Sequence, residues 1–364
     1  MRVGILTGGG DCPGLNAVIR AVVRGLHNEG GAEVETLGFF DGFLGVIADR
    51  TCPLGPDAVS GILPRGGTIL GSSNRDNPFD FHGVIDGVQV DGDVTERVLD
   101  TVERNSLDAL VVIGGDGTLS IADRFAGLGV PLVGVPKTID NDLAATDRTF
   151  GFDTAVGICS EAIDRIHTTA ESHHRVMFVE VMGRHAGHIA LHAGTASGGD
   201  VILIPEIPFT VESICEAVEA RRGRGKHFSI VVVSEGAAPL GGGQVFYRTV
   251  ETGAEKGRLG GVSNQVAAEV EQRVGLETRT TILGHVQRGG SPSAFDRVLA
   301  TRFGVCAARQ VLSGNFRTMA SLRGPTVRPV PLAEAVAEPA RVDPQGELVS
   351  VARASGISFG DGSV

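Results

Sequence analysis

Short runs of apolar, mostly β-branched residues alternate along the chain with longer amphipathic stretches. Each run ends in glycine or polar residues, and the clearest runs are residues 3–6, 110–113, 132–135, 176–181, 201–204 and 229–233. Because consecutive positions are apolar, both faces of such a strand would be buried, which is typical of parallel strands in βαβ units. The pattern predicts an α/β protein built on doubly wound parallel sheets.

Length and composition extend this prediction to two domains. The chain has 364 residues, of which 42% are hydrophobic and 21% charged. It can therefore bury a sizeable core, and it is neither disordered nor collagen-like. A chain of this length usually forms two domains. We expect two Rossmann-like domains, each with three αβα layers.

Charge and cysteine content exclude several classes of partner. The excess of 43 acidic over 32 basic residues gives a net charge of −11, which disfavours binding to nucleic acid or to an anionic membrane. An anionic ligand would need a local basic pocket. The five cysteines form no CxxC pair, and no apolar run approaches the roughly 18 residues of a membrane span. We therefore expect a soluble, cytoplasmic protein with reduced thiols.

Three loops follow predicted strands at the edge where doubly wound sheets bind ligands. They are Thr-Gly-Gly-Gly-Asp-Cys-Pro-Gly-Leu-Asn (7–16), Gly-Gly-Asp-Gly-Thr (114–118) and Pro-Lys-Thr-Ile-Asp-Asn-Asp (136–142). Glycine loops that open helices suit phosphate, because backbone amides and the helix dipole favour an anion. For a single such loop, a need for glycine in packing alone is the favoured explanation. The P-loop and dinucleotide fingerprints are absent.

The third loop adds groups that could perform chemistry. Asp140 and Asp142 offer a carboxylate base, Thr138 offers a hydroxyl, and Asp116 in the second loop is a candidate Mg²⁺ ligand. Phosphoryl transfer requires a metal ion, donors for the transferring group and a base for the attacking hydroxyl. Taken singly, each of these residues is also an ordinary turn or N-cap residue.

These loops, together with Val-Met-Gly-Arg (181–184) and Leu-Gly-His-Val-Gln-Arg-Gly-Gly (283–290), resemble the signature segments of the 6-phosphofructokinase family. NAD kinases and diacylglycerol kinases carry segments like 114–118, but the later motifs distinguish them. The resemblance runs from about residue 2 to about residue 325. It implies phosphoryl transfer from MgATP to the 1-hydroxyl of fructose 6-phosphate in glycolysis, in a cleft between the two domains.

The resemblance also implies roles for single residues around the phosphoryl donor. Asp140 would be the base, beside Thr138 and Asp142, and Asp116 would hold Mg²⁺. Gly10 and Arg75 would contact the transferring phosphate, although the Gly-Ser-Ser-Asn-Arg segment (71–75) has one residue more than the family's usual spacing. The remaining donor-site positions are Gly117, Thr118 and Lys137.

A second group of residues would bind the sugar phosphate. Within one chain these are Met182, Gly183, Arg184, Glu235, His285 and Arg288. In the family two further arginines come from a neighbouring subunit, and the matching positions are Arg175 and Arg279. The resemblance therefore implies a homotetramer with shared active sites.

Two donor-site residues point to different phosphoryl donors. Gly117 leaves room for the α-phosphate and nucleoside of ATP, where pyrophosphate-dependent relatives have an acidic residue. Lys137 is the residue that pyrophosphate users carry at its position. We favour ATP, because the larger donor strictly needs the space. The alternatives are a pyrophosphate-dependent phosphofructokinase and a non-catalytic sugar-phosphate or nucleotide sensor on the same fold.

The resemblance further suggests an allosteric nucleotide site and a division into domains. The effector candidates are Arg20, Arg24, Asp200, Arg224 and Lys226, although such residues are often simply solvated. The donor domain would comprise residues 1–151 and about 287–337. The sugar-phosphate domain would comprise 152–286 and about 338–350, followed by a loosely docked tail at about 351–364.

Overall fold

The computed structural model describes residues 1–249 and 257–362. The strands are β1 (Arg2–Thr7), β2 (Glu35–Phe39), β3 (Thr51–Pro53), β4 (Phe81–Ile85), β5 (Val88–Gly92), β6 (Ala109–Gly114), β7 (Leu132–Pro136), β8 (Val176–Val181), β9 (Val201–Leu203), β10 (Ser229–Ser234), β11 (Phe246–Thr249), β12 (Gly257–Leu259), β13 (Thr278–Ile282), β14 (Thr318–Arg323) and β15 (Thr326–Pro331).

The helices flank these strands. They are α1 (Leu15–Gly30), α2 (Phe43–Ile47), α3 (Thr95–Arg104), α4 (Asp116–Gly127), α5 (Phe152–His173), α6 (His188–Ala196), α7 (Val211–Gly223), α8 (Val262–Val274), α9 (Ala294–Leu312), α10 (Leu332–Ala335) and α11 (Glu347–Ala354), with a 3₁₀ helix at Gly284–Arg288.

The chain forms two compact units. Unit 1 comprises Met1–Ile139, Leu143–Asp153 and Arg288–Pro339. Unit 2 comprises Asp140–Asp142, Thr154–Gln287 and the residues from Ala340 onward. The sequence analysis put the limits after residues 151, 286 and 337. The short Asp140–Asp142 segment had not been assigned to the second unit.

Unit 1 contains a seven-stranded sheet in the order β15-β14-β7-β6-β1-β2-β3. The five central strands are parallel, and the two edge strands β3 and β15 are antiparallel to their neighbours. Along the chain, the strand order reverses between β1 and β6, and ligands of open α/β sheets bind at such a point. The α/β fold class is confirmed, and the loops after β1, β6 and β7 lie at the edge where ligands are expected.

Unit 2 contains a four-stranded parallel sheet in the order β13-β8-β10-β9. Its central strands β8 and β10 are buried at every position. Apolar side chains of β8, β9 and β10 pack against those of α7 and α8 to form the core of this unit. The predicted parallel sheet is therefore present in this unit too.

The end of the chain differs from the loosely docked tail that was expected. Phe359 is completely buried, and Ser358 forms a parallel bridge with Val201 of β9. The Arg353 guanidinium pairs with Asp361 at 2.6 Å. The sequence analysis missed this docking because a few isolated apolar residues, without periodicity, carry it.

Within the described part of the chain, no helix is both long enough and apolar enough to span a membrane.

Candidate active site

The three predicted loops of unit 1 lie side by side at the carboxyl ends of β1, β6 and β7. The Gly8 amide donates to Ile113 O at 2.9 Å, and the Lys137 amide donates to Gly114 O at 2.9 Å. Lys137 is only 3% exposed, and its ammonium donates to Gly10 O at 2.5 Å. We call residues 8–10, 114–118 and 137 the glycine-loop edge. Glycine amides and a cation lie together at this edge, and both favour the binding of a phosphate group.

The segment that carries Arg75 is hydrogen-bonded to this edge. The Gly9 amide donates to Ser73 O at 2.8 Å, and Ser72 Oγ donates to Gly9 O at 2.5 Å. Arg75 itself is exposed. Thr118 packs against the same loop, because a Cβ built on Gly8 would lie 2.8 Å from Thr118 Oγ1. Thr118 and the segment that leads to Arg75 thus both contact the predicted phosphate loop.

Asn16 belongs to the same assembly, and the sequence analysis gave it no role. Its Nδ2 donates to Arg65 O at 3.1 Å and to Gly66 O at 3.2 Å, and its Oδ1 accepts from the Ile69 amide at 2.8 Å. The side chain is 1% exposed among apolar helix neighbours. Asn16 thus holds the chain that leads to Arg75. Its polarity within a buried helix face was the available signal.

The position proposed for the metal ion is exposed. Asp116 is the first residue of α4, its side chain is exposed, and it forms no hydrogen bond or ion pair with any residue that the structure describes. A Cβ on the neighbouring Gly117 would meet no described atom within 4 Å. An exposed carboxylate at a helix start, beside space for phosphate oxygens and water, fits the ligands that Mg²⁺ prefers.

Arg288 lies at the glycine-loop edge. Its Nη1 donates to Asp11 O at 3.2 Å, and a Cβ on Gly10 would lie 2.8 Å from the same nitrogen. The sequence analysis had grouped Arg288 with the sugar-phosphate residues, yet it is the first residue of the last segment of unit 1. Its guanidinium therefore adds positive charge beside the first loop.

Cys12 lies within the first loop, but its thiol is unreactive. The side chain is fully buried, and its Sγ lies 3.6 Å from Phe150 O. Burial raises the pKa of the Cys12 thiol to about 12, against the opposing effect of the Lys137 ammonium. The thiol is therefore neutral and is not a nucleophile at neutral pH.

In unit 2 the predicted residues follow β8, β10 and β13, again at their carboxyl ends. Arg184 Nη1 donates to Gly257 O at 3.1 Å. The Glu235 amide donates to Val181 O at 2.9 Å, and Gln244 Nε2 donates to Arg184 O at 2.8 Å. We call residues 182–184, 235–236 and 283–285 the arginine edge. His285 is exposed at this edge, while Met182 is half-buried.

Gly183 is required by packing. Its φ is +133°, and a Cβ there would lie 2.5 Å from Ser234 Oγ and 2.8 Å from Ala186 O. Protein atoms already occupy the space of a side chain, so packing within unit 2 requires glycine at this position.

Gln287 joins two loops of the arginine edge and was not recognised from the sequence. Its Oε1 accepts from the Met182 amide at 3.1 Å and from Cys159 Sγ at 3.0 Å, and its Nε2 donates to Gly284 O at 2.9 Å. The residue is completely buried. Gln287 thus fixes the loop that carries Arg184 relative to the loop that carries His285.

Arg175 and Arg279 lie at the opposite, amino-terminal end of the same sheet. Arg175 directly precedes β8, and Arg279 is paired with Met177 in the β13–β8 register. Arg175 Nε binds Glu277 at 2.6 Å, and Arg279 also pairs with Glu277. The hydrogen bond from Arg175 holds the pKa of Glu277 below its usual value. Because β8 spans roughly 20 Å, these arginines lie far from Arg184 of their own chain.

The effector candidates occupy different environments. Asp200 is tied within unit 2: one oxygen binds Arg221 at 2.6 Å and the other accepts from the Ile230 amide at 2.8 Å. Burial raises the pKa of the Asp200 carboxyl against the effect of these partners. Both oxygens of Asp200 therefore already have protein partners. Arg224 and Lys226 are exposed, and Arg20 and Arg24 are half-buried on α1.

The chain is similar to phosphofructokinases over nearly its whole length. A family model described as phosphofructokinase matches residues 2–311. The "ATP-dependent 6-phosphofructokinase 2" of Clostridium perfringens is 50% identical over 362 residues, which are 99% of this chain and 98% of that protein. The "pyrophosphate–fructose 6-phosphate 1-phosphotransferase" of Streptomyces coelicolor is 56% identical over 345 residues, 94% of this chain and 97% of that protein. Similar proteins thus carry names with either donor.

Solved structures give the same fold. The crystal structure of Pichia pastoris phosphofructokinase in the T-state matches with a TM-score of 0.79 and 33% identity, over 98% of this chain and 36% of the longer yeast chain. A pyrophosphate-dependent phosphofructokinase of Marinobacter aquaeolei matches with a TM-score of 0.79, over 99% of this chain and 88% of that chain. At 22% identity the second match supports the fold alone.

Proposed function

Because this chain belongs to the phosphofructokinase family, we propose that it transfers the γ-phosphoryl group of MgATP to the 1-hydroxyl of fructose 6-phosphate. The products are fructose 1,6-bisphosphate and ADP, as in glycolysis. The observation that carries the proposal is the glycine-loop edge, where three loops distant in sequence converge and leave open space at Gly117. We place the reaction in the cytoplasm.

The residues of unit 1 would bind and neutralise the donor. The amides around Gly10, the Lys137 ammonium, Arg75 and Thr118 would bind phosphate oxygens. Asp116 would hold Mg²⁺, which screens charge on the β- and γ-phosphates when it is bound. Catalysis of phosphoryl transfer depends mostly on such positioning and charge neutralisation.

A second set of residues, most of them in unit 2, would bind the acceptor and activate it. Asp140 would take the proton of the sugar 1-hydroxyl, with Thr138 and Asp142 beside it in sequence. Glu235 would accept hydrogen bonds from sugar hydroxyls, against the backbone of Met182 and Gly183. Arg184 and His285, with Arg288, would donate to the substrate, since a guanidinium binds phosphate oxygens in pairs. A non-catalytic sensor would not need a base. If the protein is a kinase, Asp140→Ser should abolish turnover and leave sugar-phosphate binding intact.

Pyrophosphate is the second candidate donor, and a specific observation favours it. Lys137 Nζ contacts the first glycine loop. Its positive charge there would help to bind pyrophosphate, which is a smaller and more compact anion than ATP. We nevertheless favour ATP, because a Cβ on Gly117 would meet open space. The larger donor depends on that space, whereas an extra cation is compatible with either donor.

A coupled assay with each donor decides between them. We expect wild-type kcat/KM to be higher with MgATP than with magnesium pyrophosphate. Gly117→Asp should lower kcat/KM for ATP by roughly 100-fold and spare pyrophosphate, since it places a charged side chain in the nucleotide space. Gly127→Asp, a change at another open glycine of α4, is the matched control. Efficient turnover with pyrophosphate and almost none with ATP would reverse the assignment.

The proposal also covers the oligomeric state of the enzyme and a site for an effector. We propose a homotetramer in which Arg175 and Arg279 of one subunit complete the site of its neighbour. Arg20, Arg24, Arg224 and Lys226 would bind an anionic effector. Kinetics that do not change with ADP, phosphoenolpyruvate or citrate would remove the case for that effector site.

A further inference from the structure

Residues 340–342 lie beyond the residues that the family model matches and contact the loop that carries the proposed base. We call residues 340–342 the C-terminal strap and residues 140–142 the acid loop. The Ala340 amide donates to Asp142 O at 2.7 Å. The Ala340 carbonyl is 3.3 Å from His188 Nε2. Both the strap and the acid loop belong to unit 2.

The acid loop needs support from outside itself. Residues 140–142 form neither helix nor strand, and Asn141 has a φ of +54°. Asparagine tolerates this left-handed conformation better than most residues, but the conformation remains sparsely populated and persists where surrounding contacts fix it. The Ala340 amide supplies such a contact one residue after Asn141.

A second contact links the strap to the arginine edge. Glu206, just beyond β9, accepts from the Val342 amide at 2.8 Å. The same carboxylate accepts from the Gly187 amide at 3.0 and 3.1 Å. Gly187 is the N-cap of α6 and lies three residues after Arg184. Charge-assisted bonds of this kind are about twice as strong as neutral ones.

The strap is held at both ends. Val342 is 5% exposed, so its side chain anchors the strap in unit 2. Beyond it, the Ser358 amide donates to Asp200 O at 3.0 Å, and the Ile202 amide donates to Ser358 O at 2.9 Å. With Phe359 buried, the chain beyond the strap is also held in unit 2.

We propose that the C-terminal strap positions the acid loop, and with it Asp140, for proton abstraction, and that Glu206 couples this strap to the segment that carries Arg184. Neither Ala340 nor Glu206 touches the reacting atoms in this proposal; both are positioning residues. The inference rests on the proposed function for its kinetic consequence, but the strap contact itself can be measured without any activity.

Ala340→Pro tests the contact directly, because proline removes the N–H that Asp142 O accepts. We expect kcat to fall by roughly 10- to 100-fold while KM for the donor stays within about two-fold, since a small misplacement of a catalytic group costs about this much. Ala340→Gly keeps the N–H and should retain most of the activity. Arg341→Ala, at an exposed strap position, is the control for a change in the strap itself.

Glu206 provides a second, independent variant. Glu206→Ala should lower kcat and also raise KM for fructose 6-phosphate, because it frees Gly187 as well as Val342. Glu206→Gln keeps an acceptor oxygen and should restore most of both parameters. If Ala340→Pro unfolds the protein, this pair still tests the inference, with melting curves identifying unfolded variants.

Hydrogen exchange separates this inference from the proposed function. Peptides covering residues 140–143 should exchange faster in Ala340→Pro than in wild type, whereas peptides of the glycine-loop edge should not change. Unchanged exchange at 140–143, or an unchanged kcat in a folded Ala340→Pro protein, overturns the inference. A wild-type protein without phosphofructokinase activity overturns the proposed function instead, and exchange then decides the contact alone.

Discussion

At the scale of single residues, several positions matter because of the backbone atoms that they bind. Asn16, Gln287 and Glu206 each accept from or donate to main-chain groups of loops that are distant in sequence. Asn16 and Gln287 lie in the quoted segments 7–16 and 283–290, but their residue types do not show their partners, which are carbonyls and amides that every residue has. The charged and glycine positions were easier to predict, since their chemistry is visible in their residue type.

Asn16 allows a residue-scale prediction. Asn16→Leu keeps the volume but leaves two carbonyls and the Ile69 amide without their partner. Each buried group left unsatisfied costs about 1–3 kcal/mol, so the free energy of unfolding should fall by at least about 2 kcal/mol in urea titrations. KM for the donor should rise, because the segment leading to Arg75 loosens.

Asn28→Leu is the matched control, since Asn28 is exposed near the end of the same helix α1. It should leave both stability and KM nearly unchanged. An Asn16→Leu protein with wild-type stability would show that the hydrogen bonds of Asn16 do not hold the 65–69 segment.

At the scale of elements, burial decided which strands could be predicted. The strands β1, β6, β8 and β10 are almost completely buried and appear in the sequence as continuous apolar runs. Strand β13, Thr-Arg-Thr-Thr-Ile, was missed because it is a polar edge strand. The antiparallel edge strand β15 was also missed, since it is mostly exposed and contains two prolines.

Strand burial also explains which loops of the candidate site could be predicted. Ligand-binding loops of doubly wound sheets follow buried strands, so the loops of the glycine-loop edge could be predicted from the strand pattern. The residues of the arginine edge were predicted from the family resemblance instead, and its loop 283–285 follows the missed strand β13. The support of these loops could not be predicted, because it comes from segments such as 64–70 and 340–342 that have no regular pattern. Gly183 shows the limit, since the contacts with Ser234 and Ala186 that require glycine there could not be predicted from the sequence.

Gln287 gives a prediction at this scale, because it joins two loops. Gln287→Met keeps the length of the side chain but removes every hydrogen bond to Met182 and Gly284. We expect KM for fructose 6-phosphate to rise by roughly 10-fold or more, as both loops lose their common anchor. KM for the donor should stay constant, because the donor residues lie in unit 1.

Gln272→Met is the control for this change, since Gln272 is exposed on α8. A Gln287→Met enzyme whose two KM values rise together would indicate general loosening of the protein. That result would contradict a specific role at the arginine edge.

At the scale of the whole molecule, the acidic net charge of −11 contrasts with clusters of arginine and lysine at defined edges. Electrostatic attraction to small phosphorylated ligands is therefore local. Arg175 and Arg279 stand apart from this arrangement, because they lie at the amino-terminal end of the unit 2 sheet with Glu277. A role in catalysis requires them to act on a different copy of the chain.

Hybrid oligomers test this role. Asp140→Ser lacks the base, and Arg175→Ala combined with Arg279→Ala lacks the arginines, so each variant alone should be nearly inactive. In co-expressed mixtures, a complete site needs both the base and the two arginines. It forms when a subunit that retains Asp140 has a neighbour that retains Arg175 and Arg279. With random assembly of equal amounts and one neighbour per site, about a quarter of the sites should be complete, and activity should recover to that level.

Asp140→Ser mixed with Arg184→Ala is the matched control. Asp140 and Arg184 would serve the same subunit's site, so no hybrid site contains both, and activity should not return. Equal recovery in the two mixtures would mean that subunits merely stabilise one another. No recovery in the first mixture would place Arg175 and Arg279 outside the active site, and the shared-site proposal would then be wrong even if the protein is a tetramer.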